Sequence, residues 1–148
     1  MFAFQPLLLA SLLAYGVLSQ TPAEIIVNSS TPAADSTLIQ IGFDDSLNYE
    51  FVASNPGAVD DIADYLPLAI ANDLGTSASA SDIFVAYLVP LQKSGYNATL
   101  ARTYVPSSGV SKLETDIKVP SSGLYTDSDP DVAELASLID PSISITGF

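Results

Sequence analysis

The sequence predicts an α+β sandwich, an antiparallel sheet with helices packed on one face. Three observations carry that expectation. Extended runs rich in β-branched and aromatic residues lie at 38–43, 83–89 and 99–105. Apolar residues recur at helical spacing over 56–74, 110–117 and 130–139. Pro, Gly, Asn or Asp punctuates most changes of period. The chain has 148 residues, about one domain's worth.

Residues 1–19 read as a secretory signal peptide and not as part of the fold. Leu7 to Leu18 is an apolar run too short to span a bilayer, but of the right length for the hydrophobic region of a secretory signal peptide. Its flank, Met1 to Pro6, carries no Lys or Arg. The small residues around Val17-Leu18-Ser19 favour cleavage before Gln20. Residues 20–36 are rich in Ser, Thr, Pro and Ala, lack sustained periodicity, and are expected to form a flexible leader, with the folded unit covering 37–148. No second long apolar stretch follows, so a soluble product is expected after cleavage.

Within 37–148, Ile39, Ile41 and Phe43 fall on one face of a first strand, and Tyr49-Glu50-Phe51-Val52 reads as a second extended piece. Asn55-Pro56 supplies a helix cap followed by proline in the first turn. Val59, Ile62, Leu66, Ile70 and Leu74 then form an apolar stripe up to Gly75. Pro67 lies inside it and predicts a kink, or two short helices meeting at Leu66-Pro67. After a Ser/Ala-rich turn at 76–81, Ile83 to Val89 reads as a central strand, Lys93-Ser94-Gly95-Tyr96 as a hairpin loop, and Thr99 to Val105 as the return strand. Ser107 or Ser108 starts a helix carrying Val110, Leu113 and Ile117 inward, with Glu114 and Lys118 paired one turn apart and Pro120 ending it. Asp129-Pro130 opens a last helix with Val132, Leu135 and Leu138-Ile139 as its stripe, and a short strand is expected at Ser142–Ile145. Strand, helix, two strands, helix, extra helix and strand is the order of the ferredoxin-like split βαβ unit.

Composition excludes several kinds of chemistry. Four basic residues face 17 acidic ones, a formal charge of −13, and there is no His, Cys or Trp. A Ser-His-Asp or Cys-His relay is impossible, a conventional zinc, iron–sulfur or haem site lacks its usual ligands, and the domain has no disulfide to form. The acidity opposes nucleic-acid binding. No cofactor is expected. Sequons at Asn28-Ser29-Ser30 and Asn97-Ala98-Thr99 agree with export and mark Asn28 and Asn97 for N-glycosylation. Asp127-Ser128-Asp129-Pro130-Asp131 has the alternating oxygens of a calcium loop. It lacks the loop's Gly and Glu, so helix capping explains it better.

All four basic residues lie between Lys93 and Lys118. Lys93, Arg102, Lys112 and Lys118, with Tyr96 beside them, therefore make a candidate interaction patch for an acidic wall polymer or a partner chain. Tyr87, Tyr104 and Tyr125 are further aromatic candidates, the first two as half-buried sheet residues.

Several spaced segments carry a family resemblance. Ile39-Gln40-Ile41-Gly42-Phe43, Asp45 to Val52, Tyr65-Leu66-Pro67-Leu68, Tyr104-Val105-Pro106-Ser107, Asp129-Pro130 and Ile139-Asp140-Pro141-Ser142-Ile143 together resemble the membrane-proximal extracellular domain of fungal signalling mucins and related fungal surface proteins. The resemblance covers most of residues 37–145. It implies a SEA-like layout, standing in those proteins between a mucin region and a transmembrane helix, and a part in cell-surface sensing upstream of MAP-kinase pathways. This chain shows no mucin repeat, span or cytoplasmic tail, so the resemblance does not extend signalling to it as a stand-alone protein. SEA-type self-cleavage at Gly-Ser is not expected, because the hairpin has Ser94-Gly95 in reverse order.

The resulting expectation is a non-enzymatic secreted or cell-surface glycoprotein domain of sensor or adhesion type, binding a cell-wall polymer or a surface protein. A membrane enters only if the chain is part of an anchored protein. The alternative is a small secreted carbohydrate-active hydrolase using paired carboxylates, a chemistry that requires neither His nor metal.

Overall fold

The computed structural model describes residues 21–75 and 82–148. The expected signal peptide and its cleavage point, and the turn at 76–81, lie outside those residues. Among the described residues the strands are β1 (Ile25–Ile26), β2 (Ser36–Gly42), β3 (Phe84–Lys93) and β4 (Tyr96–Pro106). The helices are α1 (Tyr49–Ala53), α2 (Pro56–Leu74), α3 (Val110–Asp116) and α4 (Pro130–Ala136). One antiparallel sheet has the order β1-β3-β4-β2. The α+β class therefore holds.

Alternation sets the two faces of the sheet. Ile39 and Ile41 of β2, Val85 and Leu88 of β3, and Ala101 and Val105 of β4 are buried against Ile62, Leu66, Ala69 and Ile70 of α2. The opposite face carries Gln40 and Gly42, Leu100 and Arg102, and Tyr87, Val89 and Leu91. A bulge between Val85 and Tyr87 keeps the core pattern of β3 in phase, and the carbonyl of the extra residue, Ala86, accepts from the N–H groups of Val27 and Asn28 at 2.9 and 3.0 Å.

That anchor corrects the expected leader. Residues 25–26 join the sheet beside Leu88 and Tyr87, because two β-branched residues meet an open strand edge whose bulge offers a carbonyl. A second correction concerns 49–52, which form helix α1 and not a strand. The Asn48 side chain accepts from the Phe51 N–H at 2.9 Å, and this cap outweighs the strand preference of Tyr, Phe and Val. Third, α2 runs unbroken for 19 residues through Pro67. Its long buried stripe offsets an interior proline cost of about 3 kcal/mol.

The C-terminal segment replaces the expected strand at 142–145 with a wrap. Asp140 N–H donates to the Gly42 carbonyl at 2.8 Å, and Gln40 N–H donates to the Ile145 carbonyl at 3.0 Å. The segment thus follows the free edge of β2 with two backbone bonds and no ladder, because Asp140 turns back onto Ser142. The Glu114–Lys118 pair is not formed. Glu114 accepts from the Thr146 hydroxyl at 3.0 Å, and the ion pair on α3 is Lys112–Asp116 at 2.6 Å.

Candidate functional site

The helices cover one face of the sheet; the other is left to side chains and the C-terminal wrap. On β4, parity places Tyr96, Ala98, Leu100, Arg102 and Tyr104 on this outer face. Ile143 crosses it and is buried with Ala98 and Leu100, while Val89, Leu91 and Tyr96 pack around them. Farther along, the rings of Phe84 and Tyr104 meet at a tilt of 41°, with centroids 5.4 Å apart. Arg102 occupies the space between these clusters. Its Nε donates to Gln40 Oε1 at 3.0 Å and Nη1 reaches Tyr87 Oη at 3.5 Å. The guanidinium lies 4.0 Å from the centroid of Phe148 and 5.9 Å from that of Tyr87. A half-buried cation thus lies among aromatic rings in a protein of net charge −13.

The structure divides the five residues of the sequence-derived patch. Lys93, Tyr96 and Arg102 share the outer sheet face, with Lys93 3.9 Å from Asp140. Burial first, then the charges of Asp140, Asp45 and Asp44, raise the Tyr96 phenol above its ordinary value. Lys112 and Lys118 instead belong to α3 and the turn after it. Lys112 is engaged by Asp116, and exposed Lys118 borders a cleft of about 340 Å³ with Ile117, Tyr125, Ile139 and Pro141. Phe148 and Gln40 were missed by sequence reasoning, because their contacts with Arg102 join segments distant in the chain. The signal for Gln40 was its place opposite Arg102 once β2 and β4 are paired.

Of the two sequons, Asn28 is exposed and its Oδ1 accepts from Ser30 N–H at 2.9 Å. Asn97, half-buried on β4, donates through Nδ2 to Glu50 Oε2 at 2.6 Å, so that nitrogen already has a partner in the fold.

The acidic residues sort into caps and a groove. Asp127 accepts from Asp129 N–H at 2.8 Å and Asp129 from Asp131 N–H at 2.9 Å, the capping arrangement that starts α4. Among the described residues, no group of three or more acidic side chains has metal-binding geometry. A groove of about 480 Å³ is lined by Phe51, Tyr65, Asp61, Asp131 and Glu134 among others. Asp131 is the main cause of the upward shift of the Tyr65 phenol. All three carboxylates are exposed, on a solvated rim and not against a dry wall of the kind that tunes a general acid.

Among the described residues, no helix is long and apolar enough to cross a membrane. The family model described as the MSB2 C-terminal domain matches residues 21–139. The signaling mucin MSB2 of Saccharomyces cerevisiae is 35% identical over 130 residues, which cover 86% of this chain and 10% of that protein. The cell surface sensor MSB2 of Pyricularia oryzae is 31% identical over 118 residues, covering 75% of this chain and 15% of that protein. The chain therefore spans a small fraction of the relatives it matches. No solved structure matches it. An α+β unit whose match starts at residue 21, ahead of β1, and continues to Ile139, the residue bridged to Phe43, places the chain in the MSB2 C-terminal domain family of fungal signalling mucins.

Proposed function

We propose that this chain is a non-enzymatic, secreted or cell-surface glycoprotein domain of sensor type that binds a wall polymer or a partner protein through the outer face of its sheet. The observation that carries the proposal is Arg102, set against the rings of Phe148 and Tyr87 on a face that no helix covers among the described residues. Planar cation and ring together suit an acidic or hydroxyl-rich ligand. The relatives' names, signaling mucin and cell surface sensor, support surface sensing. The exposed setting of Asp61, Asp131 and Glu134 supports binding over hydrolysis. A SEA-like layout belongs to the same proposal. It is supported by the order β3-β4-β2 and by the C-terminal segment on the free edge of β2.

Co-sedimentation of the purified domain with insoluble fungal wall polysaccharide, and capture of surface proteins by it, test the reading. Arg102→Glu is expected to weaken binding by at least about tenfold, since it reverses a partly desolvated charge, while the far-ultraviolet spectrum stays unchanged. Equal binding by wild type and variant overturns the assignment of this face. Release of reducing sugar by the purified domain overturns the non-enzymatic reading.

A further inference from the structure

Asp73 is the one carboxylate in the buried interior of the described residues, 5% exposed, at the C-terminal end of α2. As a carboxylate it has no full hydrogen bond to either oxygen, although the Leu124 N–H lies near as a donor and opposes its protonation. A buried carboxylate without partners is costly, so its surroundings should explain it. Three charged or titratable groups bear on it among the described residues: Asp116 and Lys112 of α3, and Tyr125 of the turn that follows α3. Lys112 Nζ sits 2.6 Å from Asp116 Oδ2 and holds that carboxyl ionised, below its ordinary value. Asp73 consequently faces an acceptor. Two carboxylates bond only when one keeps a proton.

One side-chain bond ties the end of α2 to the turn after α3, and two more brace that turn on its own helix. Asn72 Nδ2 donates to the Gly123 carbonyl at 2.7 Å, and Ser122 Oγ donates to the Asp116 carbonyl at 2.8 Å. The Tyr125 hydroxyl donates to the Ile117 carbonyl. Gly123 rests directly on the α2 backbone. A Cβ there would stand 2.8 Å from Asp73 Cα and 2.9 Å from the Asn72 carbonyl oxygen. Beneath this turn, Leu113, Ile117 and Leu124 are fully buried or nearly so.

We propose that Asp73 and Asp116 form a proton-operated latch: one proton shared between the two carboxyls closes α3 and the 117–125 turn onto the end of α2, and its loss loosens them. Loosening uncovers Leu124 and Ile117, an apolar surface hidden in the closed state. The inference concerns the domain's own conformation and does not depend on what the sheet face binds.

The direction with pH follows from the two carboxyls. Burial, then the hydrogen bond and charge of Asp116, push Asp73 up to about 6, so its contribution is present below the ordinary value of 3.8 and is lost as pH rises through about 6. Asp116 is lowered, so its contribution is lost only as pH falls through that lowered value. The latch is thus closed in mildly acidic medium and released toward neutrality.

Hydrogen exchange of the Ile117, Leu124 and Tyr125 amides, corrected for intrinsic rates, reads the opening directly. Between about pH 4.5 and about pH 7.5 the opening constant is expected to rise by about tenfold in the wild type. In Asp73→Asn, whose amide can donate to Asp116 at every pH, it is expected to stay constant. A carbon-detected NMR titration of the wild-type Asp73 carboxyl supplies a reading that does not rely on the variant folding. A midpoint near 6 supports the latch. A midpoint near 4, or equal pH dependence of opening in wild type and variant, overturns it.

Discussion

Gly42 shows how one missing atom can determine a chain path. Its backbone is on the outer face of β2 where Ile143 crosses, and a Cβ there would come within 3.0 Å of Ile143 Cβ and Cγ2. The close approach lets Asp140 reach the Gly42 carbonyl and keeps the segment beyond it against the sheet. Gly42→Ala is expected to destabilise the domain by about 1–3 kcal/mol through overpacking, measured by urea unfolding. Combining it with Ile143→Ala should recover part of the loss, because the two sites share one contact. Asp73 shows a different kind of legibility. It falls on the same helical stripe as Leu66 and Ile70, seven and three residues on, so an acid at a core position was visible in the sequence. Its partner was not. Asp116 belongs to another helix, and only packing shows which two acids meet.

The elements were legible where period and punctuation agreed. Asn55-Pro56, the stripe to Leu74, the Ser94-Gly95 turn and the Asp129-Pro130 start all appear as the sequence indicated, because each rests on chemistry within a few residues. Expectation failed where a local preference met a stronger constraint. Tyr49 to Val52 have the side chains of a strand, yet Asn48 caps them into α1, and Tyr49 and Val52 turn into the core. Removing that cap tests the explanation. Asn48→Ala is expected to cost about 1 kcal/mol, seen as a lower urea midpoint with an unchanged slope. β1 was invisible for the opposite reason: two residues carry no period, and only the Ala86 carbonyl on the bulge of β3 gives Val27 and Asn28 somewhere to bond.

At the scale of the molecule, a charge of −13 is opposed by only four basic groups, two of which form ion pairs among the described residues. Self-repulsion among the surface carboxylates should therefore outweigh the pairs. Raising NaCl from about 20 mM to about 500 mM is expected to raise the thermal midpoint by roughly 2–5 °C, followed by calorimetry at neutral pH. A fall would show that attractive pairs dominate. The outer face as a site was half legible: Arg102 and the tyrosines stood out in an acidic sequence, but the helices' choice of face and the reach of Phe148 depend on the assembled sheet. The order of that sheet has a mechanical consequence. β1 lies on one rim and the C-terminal wrap on the other, so a pull between Thr21 and Phe148 must pass across every ladder in series. The junction of β1 with β3 has two residue pairs, against seven between β2 and β4. The C-terminal wrap holds β2 by two backbone bonds, so both thin rims yield under tension before the central hairpin.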